Sequence, residues 1–288
     1  MLIFLEGLAF FGYVSIVWND FNNFGSFIPI LFISSVIPFI LIIWGLLFNN
    51  ETFLVIAFFF KISFFPFLWW FPYLSSFLNY FLFFVFGVVN KVFPIFMLVI
   101  NQVVSFNVIF FICIFSIFLS LFFLSISQND LKIFFAWSSN VNYGWIILVL
   151  TQSWLNGVVF FLLYIIIFSF FLFILTDSYT FFDQLNITTS IDLFIMILVL
   201  ITFLGLPPFF GFIYKYLLIN SIVGFDYLNV SFFIYFILAI LITYNSFIYI
   251  NLLFKFNLLS VFFLNMQNLF VGVFAVLYIL MTIGFVSI

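Results

Sequence analysis

Runs of about 20 apolar residues recur along this chain, the length a helix needs to cross a bilayer. Of the 288 residues, 69% are hydrophobic and only 5% are charged. A water-facing surface relies on interspersed charge, so a soluble globular domain is excluded. A membrane barrel is excluded too. Its strands need about 10 residues of alternating polarity, whereas these runs are apolar on every face. The chain reads as an all-α polytopic membrane protein.

Polar clusters divide it into about ten hydrophobic segments, roughly 2–18, 25–48, 53–79, 81–105, 107–127, 131–151, 156–176, 191–222, 231–255 and 267–288. No linker or soluble insertion separates them, so residues 1–288 read as a single membrane domain. The net charge of −3 is small and scattered and points to no nucleic-acid partner. All five cationic residues are lysines, and histidine is absent. The lone Cys113 can form no intrachain disulfide and reads as a small buried side chain. The 58 phenylalanines stand against five alanines, a bias that fits AT-rich coding of the kind found in organelle genomes. With ten spans, the ends near Lys132 and Lys255 share one side, where they read as orientation charges under the positive-inside rule.

Two segments are interrupted by proline. The third holds Pro66 and Pro72, and the eighth holds Gly205, Pro207 and Pro208. Proline removes a backbone donor and clashes with the preceding turn, so both helices should break or kink. Broken helices inside a membrane are tolerated only within protein or beside water, and they recur at ion sites.

Four charges lie well inside spans: Glu6, Lys61, Lys91 and Lys215. A charge at the bilayer centre costs about 3 kcal/mol on insertion scales. It persists only by pairing, by reaching water or by losing its charge. Desolvation disfavours the charged form of any such group, which suits a site that takes up and releases protons. Competing readings stay open. Glu6 could sit at the interface near the amino terminus, and Lys61 and Lys215 could snorkel to headgroups. Lys91 is placed deepest. Trp69 and Trp70 read equally well as interfacial anchors.

The run Lys61–Pro72, KISFFPFLWWFP, resembles the broken-helix motif of the antiporter-like subunits of NADH:ubiquinone oxidoreductase, respiratory complex I. Leu131–Ser139, LKIFFAWSS, followed by Tyr143-Gly144-Trp145, is similar to a second motif of that family. Leu204–Lys215, LGLPPFFGFIYK, is similar to a third and is the most specific of the three. The motifs keep the family's order and spacing, span essentially the whole chain, and lie nearest the subunit 2 branch. The resemblance implies a core of two inverted repeats. It implies that Lys61 and Lys91 are the lysines of one proton half-channel and Lys215 the lysine of the other. It implies that Glu6 is the glutamate paired with Lys61. Helix breaks at Pro66 and at Gly205, Pro207 and Pro208 would serve gating.

There are departures. Leu68 and Asn142 stand where the family often carries histidine, and Ile133 replaces a basic residue. A proton path here would run through lysines, acids, hydroxyls and water. If Glu6 is the family glutamate, the chain starts one helix into the first repeat, and a separate polypeptide is expected to supply the missing amino-terminal helices.

The function implied is proton translocation in the membrane arm, coupled to quinone reduction elsewhere in the complex. The chain itself would hold no metal or redox cofactor. Its partners would be other membrane-arm subunits and membrane lipids. A secondary cation/proton antiporter, and a structural scaffold that has lost pumping, are the alternatives.

Overall fold

The computed structural model describes residues 24–78, 80–100, 106–174, 200–205, 210–223 and 232–255. Every element among them is helical. In chain order these are α1 (Phe24–Leu47), α2 (Glu51–Ile62), α3 (Trp70–Ser75), α4 (Tyr80–Phe84), α5 (Asn90–Ile100), α6 (Phe106–Ile126), α7 (Leu131–Gln152), α8 (Trp154–Ile174), α9 (Phe210–Val223) and α10 (Phe232–Lys255). A π turn, Val85–Val89, joins α4 to α5. Among the described residues, four stretches are long and apolar enough to cross a membrane unaided: Tyr80–Ile100, Asn107–Ile126, Leu131–Gln152 and Phe236–Leu253. The all-α, polytopic reading therefore holds. The expected segments 2–18 and 267–288 lie outside the described residues.

The described residues fall into two compact units, one within 1–123 and 132–151, the other within 124–131 and 152–288. In the first, α1 and α2 form a tight hairpin. Gly45 lies where any Cβ would run into the Leu54 side chain, 2.7 Å away. Asn50 caps α2, its Oδ1 accepting from the backbone N–H of Thr52 at 3.0 Å and from the Thr52 hydroxyl at 2.7 Å. That satisfies donors the first turn leaves orphaned.

At the centre of this unit stands α7, buried at every residue from Phe134 to Leu150. It carries its polar residues Ser138, Ser139, Asn140 and Asn142 entirely within protein. Such a helix can hold hydrogen-bonding groups at membrane depth because no lipid touches them. Against it packs α6, where Gly144 of α7 admits Ile117 and leaves the Cys113 carbonyl 3.7 Å from a would-be Cβ. Small residues at helix contacts serve this close approach in membranes. Cys113 is buried and free, as expected. The opposite face of α6 shows Phe111, Phe115, Phe118 and Phe122, an apolar stripe at helical spacing that suits lipid.

The second unit contains α8, helical residues 200–204 ending at Gly205, α9 and α10. Here α9 packs on α8. Phe203 stacks on Tyr249 of α10, with ring centroids 5.9 Å apart.

Candidate functional site

The proline motif of the third segment does break its helix, but the reversal comes before the proline. Helix α2 ends at Ile62, and Ser63 takes the left-handed conformation with φ 61° and ψ 54°. The Ser63 N–H reaches the Phe60 carbonyl at 3.1 Å, and the Phe64 N–H reaches that of Phe59 at 2.9 Å. This paired bonding is the Schellman stop, in which glycine is the usual left-handed residue. Trp70 then turns inward, and its Nε1–H donates to the Phe60 carbonyl at 2.7 Å. Trp70 is buried and so is no interfacial anchor, while Trp69 is half exposed, as that reading allows. The Phe65–Pro66 peptide is cis. Pro72 falls in the first turn of α3, where a missing N–H costs little.

A serine at the stop places a hydroxyl where glycine would place nothing. Ser63 Oγ donates toward the Ile62 carbonyl at 2.5 Å and toward Asn140 Oδ1 at 2.7 Å. It accepts from Lys91 Nζ at 3.0 Å. Lys91 also donates to Asn140 Oδ1 at 2.9 Å. Its amine lies 4.0 Å from the centroid of the Phe71 ring and 4.7 Å from that of Tyr143. Lys91 is fully buried, so snorkelling is not how it is accommodated. Ring faces are electron-rich and attract a cation, and the carboxyl end of α2 carries partial negative charge. Each of these partners is neutral. Lys61 sits in the last turn of α2, partly buried, where the same helix end favours a cation.

The neighbourhood of Lys91 is irregular for a reason. Pro94 lies inside α5, and the π turn Val85–Val89 precedes it. Both are recognised causes of kinking, and π turns cluster at functional sites. The Tyr143 hydroxyl donates to the Gly87 carbonyl inside the π turn at 2.5 Å. That bond ties α7 to the turn that carries Lys91.

In the second unit Lys215, on α9, donates to the Leu204 carbonyl and to Ser246 Oγ of α10, the latter at 2.5 Å. Leu204 is the last residue before Gly205, whose φ of 70° is left-handed. The Gly205 N–H closes the helix end onto the Ile201 and Thr202 carbonyls at 3.2 and 3.1 Å. Lys215 therefore also addresses a helix terminated by a left-handed residue.

Of the residues picked out by sequence, Lys91 and the break containing Pro66 come together within one unit. Lys215 and Gly205 come together within the other. Glu6, Pro207 and Pro208 lie outside the described residues. Sequence reasoning quoted Ser63 and Tyr143 within motifs but gave them no role, and it passed over Asn140 and Ser246. A serine shortly after an intramembrane lysine and before a proline was the available signal for Ser63. Lys132, read from sequence as an orientation charge, is packed within the first unit. It is buried, donates to the Leu78 carbonyl at 2.8 Å and lies 5.0 Å from the Tyr80 ring centroid.

Neither a family model nor a curated protein sequence matches the chain. A solved structure does. A chain in respiratory complex I from Thermus thermophilus with bound aureothin superposes with a TM-score of 0.64. The fold is shared with a chain of respiratory complex I. Identity is 15%, and the match covers 77% of this chain and 57% of that one. The chain thus spans a little over half the length of its structural neighbour, and what the two have in common at this identity is the fold.

Proposed function

We propose that this chain is a proton-translocating membrane-arm subunit of NADH:ubiquinone oxidoreductase, of the subunit 2 type. It would reside in the mitochondrial inner membrane, be encoded in the organelle, and work beside other membrane-arm subunits. NADH oxidation and quinone reduction would take place in those partners, and this chain would carry no redox cofactor. Its part would be to take up and release protons at Lys61, Lys91 and Lys215, with Glu6 as the partner of Lys61.

The observation that carries this reading is Lys91, fully buried and held by a serine, an amide and two aromatic faces at the stop of a broken helix. A structural role rarely calls for an intramembrane lysine, and a default functional reading attaches to such a residue. The fold shared with a complex I chain and the three motifs support the same assignment.

The test uses tagged chain extracted in mild detergent, which should bring NADH dehydrogenase activity with it. Lys61→Met, Lys91→Met and Lys215→Met variants should assemble, keep NADH oxidation by an artificial acceptor, and lose proton pumping. Full pumping in one variant removes that lysine from the path. Cation transport by the isolated chain, without associated NADH dehydrogenase, would replace the reading with that of an antiporter.

A further inference from the structure

We propose that Asn140 is a positioning residue whose side-chain amide reverses with the charge state of Lys91, so that the lysine is hydrogen-bonded both as ammonium and as amine. This rests on the proton-translocating reading above and assigns a part to a residue outside the three motifs.

Asn140 is buried on α7, and its Oδ1 accepts from both Lys91 Nζ and Ser63 Oγ. Its Nδ2, with two hydrogens, has no hydrogen-bond partner among the described residues. An unpaired buried donor is normally costly. The orientation is nevertheless forced while Lys91 is charged, because an ammonium has three donors and no acceptor. Only the amide oxygen can face it.

An amine is different. It keeps two N–H donors and gains one lone pair. Turning the amide about its last side-chain bond exchanges oxygen for nitrogen at nearly the same positions. Nδ2 can then donate to the lone pair of Nζ, and Nδ2 gives up no partner in the turn. Ser63 adapts as well. Its hydroxyl can accept from Nζ while it donates to the Ile62 carbonyl. Tyr143 cannot substitute, since its hydroxyl is committed to Gly87. Phe71 and Tyr143 offer only ring faces, which favour the cation.

The side chains around Lys91 thus divide into two rings that prefer one charge state and two polar groups that serve both. A carboxylate in place of Asn140 would serve one state alone. An opposite charge in contact favours the ammonium by about tenfold to a thousandfold.

The test is made in assembled complex, reading proton pumping against NADH oxidation by an artificial acceptor. Asn140→Asp is isosteric and pairs with Lys91, so it should assemble normally and lower the pumping rate by about tenfold or more. Asn140→Ser keeps a group that both donates and accepts and should retain most of the rate. Asn140→Leu should lose it. Wild-type pumping in the Asp variant, or equal loss in the Ser and Asp variants, overturns the proposal. If the Asp variant fails to assemble, equal rates in the Ser and Leu variants overturn it, and an active Ser beside an inactive Leu supports it. Lys91→Met is run in parallel. Wild-type pumping there would show that the translocation reading itself had failed, whatever Asn140 does.

Discussion

Ser63→Gly should destabilise this protein, although it relieves a strained backbone. Ser63 has φ 61°, a conformation that costs an L-residue about 1 kcal/mol and glycine nearly nothing. On backbone grounds alone the variant gains that amount. It also loses the hydroxyl that accepts from Lys91 and donates to Asn140. A hydrogen bond to a charged group is worth about 2 kcal/mol and a neutral one about 1 kcal/mol. The net change is a loss of about 2 kcal/mol. Neutral interhelical bonds in membranes average only about 0.6 kcal/mol each. At that value the substitution would come out close to neutral, so the sign depends on Lys91 being a charged donor. The assay is thermal melting of the detergent-solubilised protein, followed by the fraction that stays monodisperse on size exclusion. The expected order is wild type, then Ser63→Gly, then Ser63→Ala, because alanine keeps the strain and loses the hydroxyl. A glycine variant that melts at or above wild type would refute the view that the Ser63 hydroxyl holds Lys91 as a charged donor.

Two further substitutions test the framework around Lys91. Tyr143→Phe keeps the ring over the amine but deletes the bond to the Gly87 carbonyl. It should lower stability by about 1 kcal/mol, read as a lower melting temperature, while the ring contact persists. Gly144→Val drives a branched side chain into Ile117 at the α6–α7 contact. Overpacking of this kind costs about 1–3 kcal/mol, and the expected result is reduced accumulation in membranes and earlier melting.

Composition alone settled the class, because a chain this poor in charge has no solvent but lipid. Among the described residues, helix positions followed from length and from polar punctuation. The third segment shows where this stopped. Proline says that a helix must break, and it says nothing about which residue reverses the chain. The reversal falls on Ser63, three residues before Pro66, because the Schellman bonds close there and Trp70 reaches back to the Phe60 carbonyl. Likewise the Gly205 turn comes ahead of the two prolines. The lysines were legible as anomalies of polarity. Their partners were not, because Asn140 lies 49 positions from Lys91 and Ser246 lies 31 from Lys215. A serine or asparagine in an apolar helix carries no sign of what it faces. Lys132 misled for the opposite reason. Its place near a segment end suggested an orientation charge, whereas packing on Tyr80 and the Leu78 carbonyl buries it.

On the proposed function, a helix stop is a fitting address for a lysine that changes charge. The terminal carbonyls present about half a negative charge without a group that titrates, so the field neither moves nor neutralises when the lysine does. In the second unit this makes a prediction that separates the stop from the hydroxyl beside it. Lys215 binds the Leu204 carbonyl and Ser246 Oγ. Gly205→Ala forces a Cβ into φ 70°, at a cost of about 1 kcal/mol, and shifts the carbonyl that Lys215 addresses. Ser246→Ala removes the hydroxyl and leaves the helix end in place. On the proposed function, if the stop is what holds Lys215, Gly205→Ala should impair proton pumping more than Ser246→Ala at comparable protein levels. The reverse ranking would mean that the serine holds the lysine and the broken helix merely makes room for it.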